Sequence, residues 1–262
     1  MEFVSADEEK VLSVSILGGR DKDGAPEPVS EVTVNAGEVV CIVGPTGSGK
    51  SRLLADIEWV AQGDTPTGRR VLLGGEKPDP KWRFSTEHKL VAQLSQNMNF
   101  VMDLSVQEFV ALHAESRGVA DADAAVQRIW ESGNQLAGEP FGLDTPVTSL
   151  SGGQSRALMI ADTAILSSSP IVLIDEIENA GIDRRRALDV LLKEEKIVLM
   201  ATHDPILALY GDRRLVLRNG AMQQVITPTE AELANVEELR AMDARMMELR
   251  NRLRQGELLE EI

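Results

Sequence analysis

The segment Gly44-Pro45-Thr46-Gly47-Ser48-Gly49-Lys50-Ser51 decides the fold, because it fits the phosphate-loop pattern G-x-x-x-x-G-K-[ST] directly after an apolar run. That run, Val39-Val40-Cys41-Ile42-Val43, predicts a strand, so a glycine loop and a helix beginning near Lys50 should follow it. Glycines let the backbone turn its N–H groups inward around phosphate oxygens, and the helix adds the positive end of its dipole. We expect Lys50 to reach the β- and γ-phosphates of a nucleotide and Ser51 to bind Mg²⁺, within a nucleotide-binding segment that extends to Arg52.

Two further motifs follow the phosphate loop. The run Ile171-Val172-Leu173-Ile174-Asp175-Glu176 predicts a buried parallel strand that ends in two acids. Asp175 is predicted to orient Mg²⁺ through its water shell, and Glu176 to polarise the water that attacks the γ-phosphorus. Just upstream lies Leu150-Ser151-Gly152-Gly153-Gln154, a serine-glycine turn that opens a helix. In this order the three motifs predict an ATPase.

With these motifs in place, residues 10 to 225 or so resemble the ATP-binding cassette (ABC) family of ATPases. The resemblance implies an α/β P-loop NTPase fold of ABC type: a mixed sheet core, an antiparallel β lobe and a helical subdomain, here followed by a C-terminal helix. It implies ATP and Mg²⁺ as the bound cofactors. It also implies a second ABC subunit, expected to be another copy of this chain, because the family uses Ser151, Gly152, Gly153 and Gln154 to cap the γ-phosphate held by the opposite subunit.

The resemblance assigns three more positions. Gln96 is similar to the glutamine-loop residue that touches Mg²⁺ and the attacking water, with Gln93 as the weaker candidate. His203, in Ala201-Thr202-His203-Asp204, is similar to the switch histidine that contacts the γ-phosphate, and Asp183 to the aspartate of the loop that crosses the dimer interface. The implied catalytic residues are therefore Glu176, His203 and Gln96, and the implied metal ligands are Ser51, Gln96 and Asp175.

The sequence departs from the family at several positions. Between Phe3 and the phosphate loop there is no aromatic residue to stack on adenine, so the base is expected to rest on Arg20 or on an aliphatic side chain such as Leu17. Ile177 replaces the usual proline after Glu176, and Asp162 replaces an arginine in the helix after the serine-glycine turn. We expect Asp162 to change contacts either to the Walker B strand or to a partner.

We expect an ABC domain over residues 1–226 and an amphipathic C-terminal helix over residues 227–262. Residues 11–17 and 29–34 predict the antiparallel lobe. Within the domain a helical subdomain is predicted over about residues 103–160. Its helical periodicity runs from 105 to 136, with Asp103 or Ser105 as the first cap and His113 riding on an amphipathic surface. The turn-rich residues 61–70 predict either a plain loop or a partner contact.

In the tail, apolar residues follow a three-four spacing. We expect one helix that begins at Thr229, ends at Gly256, and either packs on its own domain or binds a partner. The stripe comprises Leu239, Met242, Met246, Leu249 and Leu253.

Composition narrows the class of protein. The 262 residues carry a formal charge of −15, which disfavours a nucleic-acid partner held through phosphate contacts, and Arg184-Arg185-Arg186 is expected to be a solvated helix start. The single cysteine, Cys41, is predicted to be a buried apolar residue. No apolar run approaches the length of a membrane span, so a cytoplasmic protein, peripheral at most to the inner face of the membrane, is expected.

Two functions remain open at this point. The ATPase either serves a membrane transporter by docking a permease subunit near Gln96 and the helical subdomain, or it assembles, activates or remodels a soluble protein complex. Family frequency favours transport, and no residue identifies the cargo.

Overall fold

The structure, a computed structural model, describes residues 13–80, 83, 89–95, 100–175, 182 and 184–259. Its strands form two sheets. A three-stranded antiparallel sheet has the order β2-β1-β4, and a six-stranded sheet has the order β5-β6-β7-β3-β8-β9. The strands are β1 Ser13–Leu17, β2 Glu31–Asn35, β3 Val39–Val43, β4 Arg70–Leu73, β5 Val91–Leu94, β6 Ile171–Asp175, β7 Ile197–Ala201, β8 Arg213–Arg218 and β9 Ala221–Ile226.

Eight α-helices are described in these ranges, and they cover the larger sheet and form the insert. They are α1 Lys50–Glu58, α2 Val106–Ser116, α3 Ala122–Leu136, α4 Gly152–Leu166, α5 Arg184–Lys193, α6 Pro205–Tyr210, α7 Glu230–Ala234 and α8 Val236–Arg254.

The centre of the large sheet is parallel and buried on both faces. Strands β5, β6, β7, β3 and β8 run parallel to their neighbours, and only β9 returns antiparallel. The register aligns Asp175 with Ala201, and Ala201 with Ile42, across β6, β7 and β3. Because the carboxyl ends of parallel strands meet at one edge, the residues that follow these three strands gather there.

The predicted antiparallel lobe is confirmed, with β1 and β2 paired from Ser13–Asn35 to Leu17–Glu31. Val14 and Ile16 are fully buried, whereas on the other face Ser15 and Thr33 join their hydroxyls at 2.6 Å. The alternation predicted for these strands is therefore the alternation between core and outer face.

The helical insert follows its predicted caps. The Ser105 hydroxyl accepts from the Glu108 N–H, and the Glu108 carboxylate accepts from the Ser105 N–H, so Ser105 and not Asp103 caps α2. Helices α2, α3 and α4 enclose an apolar cluster of their own that includes Phe109, Ile129 and Leu158. The insert therefore has an apolar cluster of its own, and α4 also packs against the sheet through residues such as Ile160.

The turn-rich segment before β4 ends in a buried residue and is therefore not a plain loop. Arg69 is completely buried and donates to Glu27 through Nε (2.8 Å) and Nη2 (3.1 Å). It also donates to Asp56 Oδ2 at 3.0 Å and to the Gly220 carbonyl at 2.6 Å. This ion triad, Arg69 with Glu27 and Asp56, joins the small sheet, helix α1 and the β8–β9 turn.

The tail differs from the prediction of one helix. Thr229 begins α7 with a capping box to Glu232, and Asn235 then separates α7 from α8. The Asn235 N–H bonds the Glu232 carbonyl at 3.1 Å, which closes the first segment before its carbonyl accepts from Leu239 in the second. Leu249 is buried, but Met242 and Met246 are half-exposed, so the apolar stripe packs on its own domain only in part.

Two predictions concern the burial of Cys41 and the length of the apolar helices. Cys41 is fully buried in β3, and burial raises its pKa to about 12, as expected for an inert apolar residue. Among the described residues no helix combines the length and apolarity that a bilayer crossing requires.

Candidate nucleotide site

The phosphate loop connects β3 to α1 as predicted. Gly44, Gly47 and Gly49 all have positive φ angles, which side chains with a Cβ rarely adopt. A Cβ on Gly44 would lie 2.4 Å from the Leu217 carbonyl oxygen, whereas one on Gly47 would meet open space. The loop is therefore packed tightly against β8 at its start and is open to a ligand at its tip.

Lys50 and His203 meet at the carboxyl edge of the sheet. Lys50 is buried, and its Nζ lies 2.9 Å from the Gly44 carbonyl oxygen and 3.0 Å from His203 Nε2. Because an ammonium only donates, this contact requires His203 to accept at Nε2 and to carry its proton on Nδ1. Asp175 ends β6 at the same edge, in register with Ala201, two residues before His203.

The donor set fits a magnesium-bound triphosphate. The Ser48 hydroxyl is buried in the phosphate loop with no partner among the described residues, and Ser51 is exposed beside it. A buried hydroxyl without a partner is unfavourable unless a ligand satisfies it. Mg²⁺ keeps several waters and takes few protein ligands. The Ser51 hydroxyl and the Asp175 carboxylate, together with phosphate oxygens, therefore suit it. Among the described residues, no three histidine, cysteine, aspartate or glutamate side chains are grouped so that they could hold a metal ion.

Three of the predicted functional residues lie outside the described residues. They are Gln96, Glu176 and Asp183, so the roles expected for the glutamine loop, the water-polarising acid and the crossing loop with Ile177 remain predictions. The strands that lead to the first two are described, and β5 and β6 pair in parallel up to Leu94 and Ile174. The alternative residue Gln93 lies within β5, and its amide nitrogen donates to the Glu58 carboxylate at 3.1 Å.

The serine-glycine turn begins α4 on the surface. The Ser151 hydroxyl accepts from the Gln154 N–H at 3.3 Å, and the Gln154 side chain accepts from the Ser151 N–H at 2.9 Å. Ser151 and Gly152 are exposed, and a Cβ on Gly152 would meet nothing within 4 Å. A helix N-terminus with open space around its first turn can receive an anion from another molecule.

The loop between β1 and β2, residues 18–30, lies against the phosphate loop. Arg20, a residue expected to support the base, donates from Nη1 to the Gly24 carbonyl at 2.7 Å and so holds its own loop. Lys22, which sequence reasoning passed over, donates from Nζ to the Gly47 carbonyl at 2.7 Å. No motif marks Lys22, since its approach depends on how the loop folds back.

Asp162 and His113 form a pair that the sequence predictions missed. Asp162 is buried in α4 and lies 3.1 Å from His113 Nδ1 on α2. His113 also packs on the Phe109 ring, with centroids 4.2 Å apart, and is not a free surface residue. The replacement of the family's arginine by Asp162 was a visible signal, but the 49 residues between the two hid the pairing.

Comparison with known proteins agrees with this geometry. The family model described as "ABC transporter" matches residues 29–179, which is more than half of the chain. The chain belongs to the ABC transporter family.

Two relatives and one solved structure extend this match. An uncharacterized ABC transporter ATP-binding protein of Methanocaldococcus jannaschii is 52% identical over 250 residues, covering 95% of each chain. The lipoprotein-releasing system ATP-binding protein LolD of Psychrobacter arcticus is 30% identical, covering 81% of this chain and 92% of the relative. Among solved structures, cbiO1 from Clostridium perfringens, part of the ABC transporter complex cbiONQ, superposes with a TM-score of 0.62. At 24% identity, over 92% of this chain and 98% of that one, it supports the fold alone.

Membership of the family settles the reaction class. This ABC ATPase binds ATP and hydrolyses its phosphoanhydride bond. The α/β architecture with its antiparallel lobe and helical insert, predicted from the motifs, is confirmed.

Proposed function

We propose that the chain is the ATP-binding subunit of a membrane transporter and that two copies hold two Mg-ATP between them. The observation that carries the site is the meeting of Lys50 and His203 at 3.0 Å, which brings the phosphate loop and the loop after β7 together at one edge. The exposed N-terminus of α4 supports the second part, because an anion-binding turn at the surface is available to a partner chain.

The proposal assigns each residue of the ATP site a role in binding or hydrolysis. The phosphate-loop N–H groups and Lys50 bind the triphosphate, and Ser51 and Asp175 hold Mg²⁺, which when bound neutralises phosphate charge. Glu176 orients the attacking water, Gln96 reports occupancy to the partner, and His203 stabilises the closed geometry. The residues from Ser151 to Gln154 of one chain complete the site of the other.

The test uses a variant that binds but does not hydrolyse. Glu176→Gln should accumulate as an ATP-bound dimer in gel filtration with Mg-ATP, whereas Glu176→Gln combined with Lys50→Ala should remain monomeric. A Glu176→Gln protein that stays monomeric at high concentration, although it binds ATP, would contradict the two-chain site.

The transporter role has its own support and its own test. The relatives bear the names of ATP-binding proteins of transport systems, and Val101 and Met102, between β5 and α2, are 92% and 42% exposed. An apolar pair beside the helical subdomain suits the short helix of a permease subunit. Pull-down from detergent-solubilised cells should recover a multi-span membrane protein, and Val101→Asp should lose it while ATP binding persists. Recovery of soluble enzyme subunits instead would favour assembly or remodelling over transport.

A further inference from the structure

The β1–β2 loop directs one cation at the tip of the phosphate loop. Lys22 is exposed, and its Nζ donates to the carbonyl of Gly47 at 2.7 Å. Gly47 lies in the middle of the glycine loop, with open space where a Cβ would stand. An ammonium at this position is beside the place where the loop N–H groups gather phosphate oxygens.

The backbone that carries Lys22 is fixed on both sides. The Lys22 N–H bonds the Asn219 carbonyl at 3.0 Å, and the Asp21 N–H bonds the Ala25 carbonyl at 2.9 Å. Farther along, Glu27 is anchored by the buried Arg69. The Cα of Lys22 is therefore held in place, and only its long side chain has freedom to follow a ligand.

The carboxylates of the acids next to Lys22 accept hydrogen bonds from other groups. Asp21 Oδ1 accepts from the N–H groups of Asp23 and Ala25, and Asp23 Oδ2 accepts from the Asn219 amide. Within the described part of the chain Lys22 has a neutral carbonyl as its partner and forms no ion pair. In a protein with 42 acidic residues, a lysine directed at the phosphate loop and left without a carboxylate is suited to receive an anion.

From these contacts we propose that Lys22 is a nucleotide-binding residue. When ATP binds in the phosphate loop of the same chain, the Lys22 ammonium moves from the Gly47 carbonyl to the phosphates. The family's aromatic contact to the base is missing from this lobe, and a cation at the phosphates would supply binding free energy in its place. The proposal rests on the phosphate loop being the ATP site, as the proposed function has it.

The test measures ATP binding by isothermal titration calorimetry in the presence of EDTA, so that no hydrolysis occurs. Lys22→Ala should bind ATP about three to ten times more weakly than the wild type at about 50 mM KCl. The difference should shrink at about 0.5 M KCl, where screening is stronger. It should also fall in the order ATP, ADP, AMP as phosphates are removed.

Two further variants separate charge from support of the loop. Lys22→Arg keeps the charge and should retain most of the affinity, whereas Lys22→Gln keeps a hydrogen-bond donor for Gly47 and should bind as weakly as Lys22→Ala. Lys77→Ala is the matched control, because Lys77 is an exposed lysine that follows β4 at the opposite end of the small sheet. It should bind as the wild type does.

The outcomes distinguish failure of the role of Lys22 from failure of the nucleotide site itself. If Lys22→Ala matches Lys77→Ala at low salt, or if Lys22→Gln restores binding, the role of Lys22 is refuted. Lys50→Ala serves as the reference for the site itself, and if it bound ATP like the wild type, the proposed nucleotide site would fail together with the inference.

Discussion

Removal of the buried guanidinium should destabilise the whole domain. In Arg69→Met the carboxylates of Glu27 and Asp56 lose their cation, although both are at least nine-tenths buried. Four hydrogen bonds disappear at once, three to carboxylate oxygens and one to the Gly220 carbonyl. Leaving a buried charge without its partner costs about 3–5 kcal/mol. For a domain of this size that corresponds to a fall in Tm of roughly 6–20 °C.

The assay is urea denaturation followed by circular dichroism, with thermal scans alongside. Arg70→Met is the matched control, since Arg70 is the exposed neighbour of Arg69 and should change the free energy of unfolding by at most about 0.5 kcal/mol. If Arg69→Met is too unstable to purify, the triple variant Arg69→Met with Glu27→Gln and Asp56→Asn should recover much of the stability, because it removes the unpaired charges as well. Equal stability of the two single variants would refute the reasoning.

Three further predictions concern contacts away from the ion triad. His113→Ala should lower the free energy of unfolding by about 1–3 kcal/mol, since it leaves the buried Asp162 unpaired, and Asp162→Asn should lessen that loss in urea titrations. The hydrogen bond from Arg214 lowers the pKa of the half-exposed Glu232, so this contribution to attachment of α7 is present above the ordinary carboxyl pKa and lost as pH falls through the lowered value. Hydrogen exchange in α7 should rise there and not near neutrality. Ser151→Ala should cost about 1 kcal/mol through loss of the α4 cap, measurable in nucleotide-free protein, and Ser151→Asp should restore stability.

The sequence predicted those parts of the fold that local patterns encode. The apolar runs of β3, β6 and β7 identify strands that are buried on both faces, and the glycine loop between β3 and α1 has a spacing that few other structures share. Once these strands are parallel neighbours, the residues after them must meet at one edge. The proximity of Lys50 to His203, 153 positions apart, follows from that topology.

The buried ion triad could not be predicted in the same way. Thr65, Thr67 and the glycines around Arg69 have the composition of a solvated turn, and burial of a guanidinium requires carboxylates from two distant segments. The only local trace is Asp56, a charged residue among the apolar positions of α1 that face the core. The His113–Asp162 pair was hidden for the same reason, since each half looks like an ordinary helix residue.

Long-range contacts hold the antiparallel lobe against the phosphate loop. The Asn219-Gly220 turn bonds the phosphate loop through Gly220 N–H to the Ser48 carbonyl at 2.8 Å, and it bonds Lys22 and Arg69 through its two carbonyls. A Cβ on Gly220 would lie 3.0 Å from Lys22 Cγ, and one on Gly49 would lie 3.0 Å from Gly220 Cα, so the three segments touch with no room for a side chain. The phosphate loop and the β1–β2 loop are therefore positioned by one shared turn, and a nucleotide that contacts both would meet a surface already assembled.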